Sequence, residues 1–259
     1  GSKPLREIRA QPALGEQLAK RLRDFAAATA YAPHQDYIGN IAPEKLSDLP
    51  KPWYERLIEG ATPEGRFGDL VAQSKFYGLL AGSDQFDLVS FEESWFQEHA
   101  ARHLIGRAPR LRSLGEIQAL CDKGALPLRD SDRLVGAFEA AHEEDASLAA
   151  EVLLENLAGK VSAAHSLRTV LKQLEIQPAD IDFVISCSEE AVGDRYNRGG
   201  GNLAKAIAED VGCVNASGCD TKAFCAGPMY AMVHGASLIQ SGVAKKVAVV
   251  AGGSLRVQA

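Results

Sequence analysis

The sequence predicts an α/β fold for residues 131–259, with a mainly parallel sheet covered by helices. Two nearly continuous apolar runs, Ile181–Cys187 and Val247–Ala251, have the composition of strands that are buried on both faces. The segments between and before these runs carry apolar residues at the three- and four-residue spacing of helices. Strands that alternate with helices are typical of a parallel sheet, so this region is predicted to form one.

The predicted elements of this region follow one another without long gaps. Pro178 prevents the second helix from continuing, and three consecutive glycines precede the third. In chain order, the elements are helices over 131–157 and 161–174, the strand over 181–187, a helix over 202–211, a strand over 213–216, a helix from Cys225 to the Ser241–Gly242 pair and the strand over 247–251.

Residues 1–130 show no such alternation and are predicted to be irregular and partly helical. Arg6–Ala30 has the apolar spacing of a helix, and several prolines interrupt the sequence that follows. Asp87–Val89 and Arg110–Leu111 are short apolar pieces, and the pattern does not decide between strand and helix. No nucleophile and base occur at a catalytic spacing, so we expect this region to make subunit contacts rather than to carry chemistry.

One histidine pair in this region has a spacing known from metal sites. His99 and His103 are four positions apart, as in zinc proteases, but Ala100 stands where that motif has its glutamate. We therefore predict two surface histidines.

Composition and charge narrow the class of protein. The chain has 259 residues, a formal net charge of −6 and 46% hydrophobic residues, which fits a folded protein of one or two domains. The acidic balance argues against nucleic acid or an anionic membrane as a partner. No apolar run reaches the about 20 residues that a membrane-spanning helix needs.

Five cysteines, without a C-x-x-C pair, favour a reducing cytoplasm over a disulfide framework or a zinc site. We predict neither a metal nor a cofactor.

Cys225 is the residue best suited to chemistry. Ala226 and Gly227 follow it and open an apolar helix. The N–H groups of Cys225, Ala226 and Gly227 lie in a first helical turn, where they can face an oxyanion, and the helix dipole favours a thiolate there. The pattern predicts a cysteine nucleophile, and a buried, unreactive cysteine is the alternative.

A glycine-rich segment with two arginines lies before the third helix. The spacing of Arg195, Arg198 and Gly199–Gly201 matches neither the dinucleotide-binding motif nor the phosphate-binding loop of nucleotide triphosphatases. Two interpretations stay open at this point, a loop near an anionic ligand and a solvent loop.

Several motifs resemble the thiolase superfamily. The strand within 178–185, the Cys-Ala-Gly at Cys225, the apolar helix after it and the valine-rich strand ending in glycine stand in the order found in 3-oxoacyl-acyl-carrier-protein synthase III. The resemblance implies that residues 131–259 form the first half of a thiolase-like fold with a buried central helix. It also implies that Cys225, and none of the other cysteines, is the functional one.

A more specific resemblance spans nearly the whole chain. Its motifs resemble the beta subunit of component C of glycine/sarcosine/betaine reductase. These motifs are Tyr37–Asn40, Pro52–Tyr54, Ser186–Glu190, Arg198–Asn202 and Cys225–Pro228. The family implies a cytoplasmic acyl-transfer enzyme of amino-acid catabolism, which turns a carboxymethyl group on selenoprotein A into an acetyl thioester and then acetyl phosphate. The implied partners are selenoprotein A, a second subunit similar to phosphate acyltransferases and, from thiolase-fold relatives, a second copy of the chain.

The segment before the third helix is also a candidate substrate loop. Its candidate residues are Cys187, Glu189, Glu190, Arg195 and Arg198.

The chain departs from a complete thiolase fold after Cys225. Synthase III relatives place a catalytic His and Asn in a second half, whereas 34 residues follow Cys225 here. His234 lies nine positions after Cys225, about 180° around a helix, so we do not expect it to be the base. We expect the second half to be missing from this chain or supplied by another polypeptide. A 3-oxoacyl synthase and a non-catalytic scaffold subunit remain the alternative functions.

Overall fold

The structure is a computed structural model, and its contacts divide the chain into two units, Gly1–Ala72 and Gln73–Ala259. The residues that it describes are 71–141, 148–188 and 202–253, together with 13, 64–65 and 68–69. In the first unit these residues include two short antiparallel strands, β1 (Glu64–Gly65) and β2 (Gly68–Asp69). The helix predicted over Arg6–Ala30 lies outside the described residues except at position 13.

The second unit contains two sheets with their covering helices. Its helices are α1 (Gln73–Ser83), α2 (Glu93–Trp95), α3 (Leu114–Asp122), α4 (Ala150–Gln173), α5 (Leu203–Val211) and α6 (Gly227–Gln240). Its strands are β3 (Val89–Glu92), β4 (Arg110–Arg112), β5 (Leu126–Asp130), β6 (Arg133–Phe138), β7 (Phe183–Ser186), β8 (Ser217–Asp220) and β9 (Val247–Val250). Helix α2 continues into a π-helical turn (Phe96–Ala100) and a 3₁₀ turn (Ala101–His103).

The first sheet has the strand order β4-β3-β6-β5, and β3 is parallel to β4 and antiparallel to β6. Its core is aromatic. The Phe91 ring stacks on Trp95 at a centroid distance of 5.9 Å, and Phe96 and Tyr77 pack on the same ring. The indole Nε1–H of Trp95 donates to Asp130 Oδ2 at 3.1 Å, which satisfies the polar atom of a buried side chain.

The predicted surface histidines lie beside this core. The His99 ring is 5.6 Å from the Trp95 ring, and burial lowers the pKa of His103. Both residues are half-buried rather than fully solvated, and His99 lies at the edge of the aromatic cluster.

The helix predicted over 131–157 is wrong in its first part. Residues Arg133–Phe138 form β6, and Ser131 has a φ of 54° in the turn that joins β6 to β5. Val135, Ala137 and Phe138 are all fully buried, so the strand contacts the core on both faces. A run of this kind satisfies helical and strand spacing equally, and pairing with two neighbouring strands decides for the strand. The helix begins at Ala150 as α4.

The second sheet is fully parallel, with the order β8-β7-β9. The predicted strands over 181–187 and 247–251 are confirmed as β7 and β9. The strand predicted over 213–216 is a turn instead, in which Ala216 N–H donates to Cys213 O, and the strand begins at Ser217. Val214 is exposed in this turn, so its apolar side chain does not indicate a buried strand.

Helices cover both faces of the parallel sheet, which confirms the predicted α/β class. Alternate residues of β7 point to opposite faces. Val184 packs with α4 and α5, whereas Ile185 packs with Ala231 of α6. Each residue of the core that α4 and α5 form on this sheet is at least nine-tenths buried. On the two helices, these residues include Ala163, Ala164, Leu167, Leu171, Ala204, Ile207, Ala208 and Val211.

Polar contacts join α1, which packs on the first sheet, to α4 and α5, which cover the second. The Lys160 ammonium of α4 donates to Ser83 O of α1 at 3.1 Å, and Ser83 Oγ donates to Asp210 of α5 at 2.7 Å. Arg168 pairs with the same carboxylate at 3.1 Å. These mostly buried groups fix the aromatic layer against the helices that carry the parallel sheet.

Helix α6 differs from the buried central helix that was expected. Its buried residues are Gly227, Ala231 and Gly235, which face the sheet. The opposite face is solvent-exposed, and Met229 and Val233 there are 62% and 64% exposed. The reason is that the parallel sheet covers one side of α6, and no other described residues cover the second side.

Candidate active site

The candidate site lies at the carboxyl edge of the parallel sheet. All three strands run in the same direction, so the segments after Ser186, Asp220 and Val250 meet at one edge. Ligand sites in parallel α/β sheets form at this edge. The segment after β8 leads directly into the turn that holds Cys225.

Hydrogen bonds tie these three strand ends together. The Thr221 N–H donates to Ser186 O at 2.7 Å, and the Cys187 N–H donates to Val250 O at 2.8 Å. Ser188 is the centre of the remaining contacts. Its buried Oγ accepts the Gly252 N–H at 2.9 Å, and its carbonyl accepts the Lys222 ammonium at 3.1 Å. The start of the Cys225 segment is therefore anchored to the end of β7, which is itself tied to the end of β9.

Cys225 itself is exposed and lies in a 3₁₀ turn (Phe224–Ala226) just before α6. Phe224 has a φ of 47°, a conformation that a residue with a side chain adopts at a cost in free energy. Cys225 is thus not buried as the alternative interpretation had it, and its reactivity stays a prediction.

The predicted oxyanion donors are partly engaged. The Ala226 N–H donates to Ala223 O at 3.0 Å, and the Gly227 N–H donates to Phe224 O. Two of the three predicted N–H groups thus already have acceptors inside the turn. Stabilising an oxyanion at Cys225 requires these donors to be shared, or donors from elsewhere.

Cys187 of the predicted substrate loop is brought to the start of α6. A Cβ placed on Gly227 would lie 3.4 Å from Cys187 Cβ, an ordinary van der Waals distance, so the two residues are close neighbours. The Cys187 thiol is buried, donates to Val250 O at 3.3 Å, and has a pKa that burial raises and the Lys222 charge partly lowers. Its environment is that of a packing cysteine. The other loop candidates, Glu189, Glu190, Arg195 and Arg198, lie outside the described residues.

The N-terminus of α5 already holds an anion of the protein itself. The Asp220 carboxylate accepts the N–H groups of Leu203 and Ala204, both at 2.9 Å, and Asn202 accepts that of Lys205. Helix N-termini bind anions through such N–H groups. An anionic ligand of the preceding glycine-rich loop would therefore have to bind through other groups.

His234 lies away from Cys225. Its Nδ1 is 3.9 Å from the Cys219 thiol, and its ring contacts Phe183 at the opposite end of β7. Nine helical residues correspond to about 13 Å along the helix axis. This position agrees with the expectation that His234 is not the base.

Sequence reasoning missed three residues that build this site. Ser188 and Lys222 follow the ends of β7 and β8, and Asp220 is the last residue of β8. All three act through contacts with other strands or helices. The available signal was a polar residue directly after an apolar strand, as at Ser188. Nothing in the linear spacing shows which partner each one contacts.

Iodoacetamide should label Cys225 several-fold faster than any other cysteine of the folded chain. Cys225 is exposed, whereas burial raises the pKa of the other four thiols, which lowers their thiolate fraction at neutral pH. These are Cys121, Cys187, Cys213 and Cys219. Timed quenching with peptide mass spectrometry measures the order, and labelling in guanidinium, where the rates should converge, is the control. Earlier labelling of Cys121 or Cys219 would contradict the assignment.

Two features of other classes of protein are absent from the described residues. No helix in that part of the chain is long and apolar enough to cross a membrane. No group of three or more His, Cys, Asp or Glu side chains among the same residues is placed to hold a metal ion.

Fold and site together define an α/β protein with an exposed cysteine at the carboxyl edge of a parallel sheet. The chain is related to the beta subunit of component C of the glycine/sarcosine/betaine reductase complex. It is 40% identical to that subunit from Peptoclostridium acidaminophilum in an alignment of 250 residues, and the match covers 92% of this chain and 49% of the relative. The resemblance found in the sequence is confirmed, and the chain spans about half the length of this curated relative.

No protein-family model matches the chain. Among solved structures, it is similar in part to the priming β-ketosynthase from the R1128 polyketide biosynthetic pathway, with 32% identity and a TM-score of 0.32 over 36% of this chain and 26% of that one. It is also similar in part to 3-oxoacyl-[acyl-carrier-protein] synthase III from Aquifex aeolicus VF5, with 22% identity and a TM-score of 0.33 over 36% of this chain and 29% of that one.

Proposed function

We propose that the chain is an acyl-transfer subunit of a glycine/sarcosine/betaine reductase complex and that Cys225 is its nucleophile. The observation that carries the proposal is the exposed Cys225 thiol at the carboxyl edge of the parallel sheet, directly before α6. It occurs in a chain that is 40% identical to a component C beta subunit over 92% of its length.

The proposed reaction begins with a carboxymethyl group bound to selenium on selenoprotein A. The carbon–selenium bond breaks and the methylene carbon is reduced to a methyl group. A neighbouring thiol of the selenoprotein supplies the two electrons and the proton for this carbon, and its sulfur ends joined to the released selenium as a selenide–sulfide. The carboxyl group condenses with the Cys225 thiol and releases water. Phosphate then attacks the resulting acetyl thioester on the acyltransferase-like subunit, which gives acetyl phosphate and frees Cys225.

The described residues supply the nucleophile and its frame. Thr221 and Lys222 anchor the segment that leads to Cys225, and α6 directs the positive end of its dipole toward this segment. Among the described residues, no hydrogen bond joins the Cys225 thiol to an acid or a base. Turnover therefore needs groups from a partner or from polypeptide beyond these residues, such as selenoprotein A, the second subunit or a second copy of the chain.

The proposed division of labour within the chain follows from this arrangement. Residues 1–130 make subunit contacts, and residues 131–259 carry Cys225. The cytoplasm remains the predicted compartment.

Intact-mass spectrometry of the chain with a reactive acetyl thioester tests the nucleophile. We expect the wild type to gain one acetyl group that hydroxylamine removes, Cys225→Ala to gain none, and the matched control Cys187→Ala to behave as wild type. The chain alone should form no acetyl phosphate. In the complete complex with selenoprotein A, acetyl phosphate should form and should be lost in Cys225→Ala.

Other outcomes would support the alternative functions. Full activity of a complex that carries Cys225→Ala would identify a scaffold subunit. A 3-oxoacyl product formed with acyl-carrier protein would identify a condensing enzyme.

A further inference from the structure

Lys222 carries a positive charge at the same edge of the parallel sheet as Cys225. The described segments that directly follow β7, β8 and β9 at this edge are 187–188, 221–226 and 251–253. Lys222 is the only basic residue in these segments, and they contain no Asp or Glu. An anion that reaches this edge therefore meets the positive charge of Lys222.

The Lys222 ammonium lies at the end of the central strand. It donates to Ser188 O at 3.1 Å. Burial raises the pKa of the neighbouring Cys187, and the Lys222 charge lowers it in part, which a positive charge does from close range. The ammonium is thus close to both residues that follow β7.

The end of β7 also contacts the chain on the other side of Cys225. A Cβ placed on Gly227 would lie 3.4 Å from Cys187 Cβ and 3.5 Å from Cys187 O. Lys222 is three residues before Cys225, a stretch that spans at most about 11 Å when extended. One short segment therefore carries both the ammonium and the thiol, and its two ends are fixed on the same strand end.

The group that the proposed reaction brings to Cys225 is an anion. A carboxymethyl group ends in a carboxylate at neutral pH, and its carboxyl carbon must come next to the Cys225 sulfur. A nearby cation offsets the repulsion between the carboxylate and a thiolate. A lysine ammonium carries three N–H donors, so it can serve several acceptors, and its hydrogen bonds to carboxylates are charge-assisted.

We propose that Lys222 binds the carboxylate of the carboxymethyl group and makes Cys225 select donors that carry a carboxylate beside the reacting carbon. The inference rests on the proposed function of Cys225 and names the group that this site recognises. Lys222 takes part in no bond change: it attracts and orients the carboxylate. The acetyl thioester that forms is neutral, so Lys222 holds the substrate more strongly than the product.

Two alkylating reagents of similar shape test the proposal. Iodoacetate has a carboxylate where iodoacetamide has a neutral amide, and each joins its methylene carbon to the Cys225 sulfur and releases iodide. The ratio of the two labelling rates at Cys225 measures the attraction of the carboxylate, whereas a displaced thiol changes both rates alike. The variants are Lys222→Met and Lys222→Arg. Lys246→Met is the matched control, because it removes the same charge at the amino end of β9, where Lys246 pairs with Asp180 at 2.9 Å.

We expect the ratio of the iodoacetate rate to the iodoacetamide rate to fall about fivefold in Lys222→Met. This factor corresponds to about 1 kcal/mol, the upper end for an exposed ion pair. Lys222→Arg and Lys246→Met should keep the wild-type ratio. Added salt should lower the wild-type ratio toward that of Lys222→Met, since salt screens exposed charges, and this measurement needs no variant.

The complete complex provides the second arm. Acetyl phosphate formation in a complex that carries Lys222→Met should need about fivefold more carboxymethylated selenoprotein A to reach half of its maximal rate, and Lys222→Arg should restore the wild-type requirement.

Two results would overturn the proposal. A wild-type ratio in Lys222→Met, or a wild-type ratio that salt leaves unchanged, would show that Lys222 does not attract the carboxylate. Equal slowing with both reagents would show that Lys222 acts on the position of Cys225 alone. Alkylation needs no acyl transfer, so the two proposals fail separately: if Cys225 accepts no acetyl group but the ratio depends on Lys222, the proposed function is wrong and the carboxylate site stands.

Discussion

Gly252→Ala should destabilise the protein by about 3–5 kcal/mol, the range of severe single substitutions. A Cβ at this position would lie 2.0 Å from Gly159 O and 2.9 Å from Ser162 Oγ. The first of these atoms belongs to the backbone of α4, so neither element can give way without a shift of the other. The Gly252 N–H also bonds to Ser188 Oγ, so the shift would disturb the strand ends near Cys225. Urea denaturation followed by circular dichroism measures the loss.

The neighbouring glycine provides the control. A Cβ on Gly253 would meet nothing within 4 Å, so Gly253→Ala should change the free energy of unfolding by less than about 1 kcal/mol. Equal stability of the two variants would show that Gly252 does not pack against α4 as closely as it does in the structure.

Trp95→Ala should cost about 3–5 kcal/mol of folding free energy, as expected for emptying a large aromatic site. Trp95 is almost fully buried, stacks on Phe91 and has an edge contact with Tyr77 at 5.9 Å. The variant also leaves the Asp130 carboxylate without the indole donor. Thermal unfolding of the variant measures the effect.

Trp95→Phe is the matched control, since it keeps a ring in the cluster and should lose clearly less stability than Trp95→Ala. In both folded variants, iodoacetamide should label Cys225 at the wild-type rate, because Trp95 belongs to α2 and packs on the other sheet. Slower labelling of Cys225 would contradict the proposed separation of contacts and chemistry.

The sequence predicts those elements whose pattern reflects their own burial. Strands β7 and β9 contact the cores on both faces, so their apolar runs identify them. The same property misleads at Val135–Phe138, where a strand buried on both faces also fits helical spacing. Pairing with β3 and β5 makes that segment a strand. β3 lies far away in the sequence, and the sequence pattern does not identify β5 as a strand.

In the site, too, the local features could be predicted and the contacts between distant segments could not. Cys225 could be found from its small neighbours and the helix that follows, because both are local features. The roles of Ser188, Lys222 and Asp220 depend on which strand ends meet at one edge of the sheet, and linear spacing does not contain that information. The buried state expected for α6 came from resemblance to relatives, and the described part of this chain supplies a covering layer on one side only.

The outer face of α6 affects the solubility of the protein. Met229, Met232, Val233 and Ile239 place four large apolar side chains on an uncharged helix, each about half or more exposed. Surfaces of this kind promote retention on phenyl matrices and precipitation as salt is added, even where the net charge keeps molecules apart. Purification of the chain therefore calls for low salt or mild detergent. Val233→Lys would raise the solubility limit without touching the core, because that side chain faces solvent.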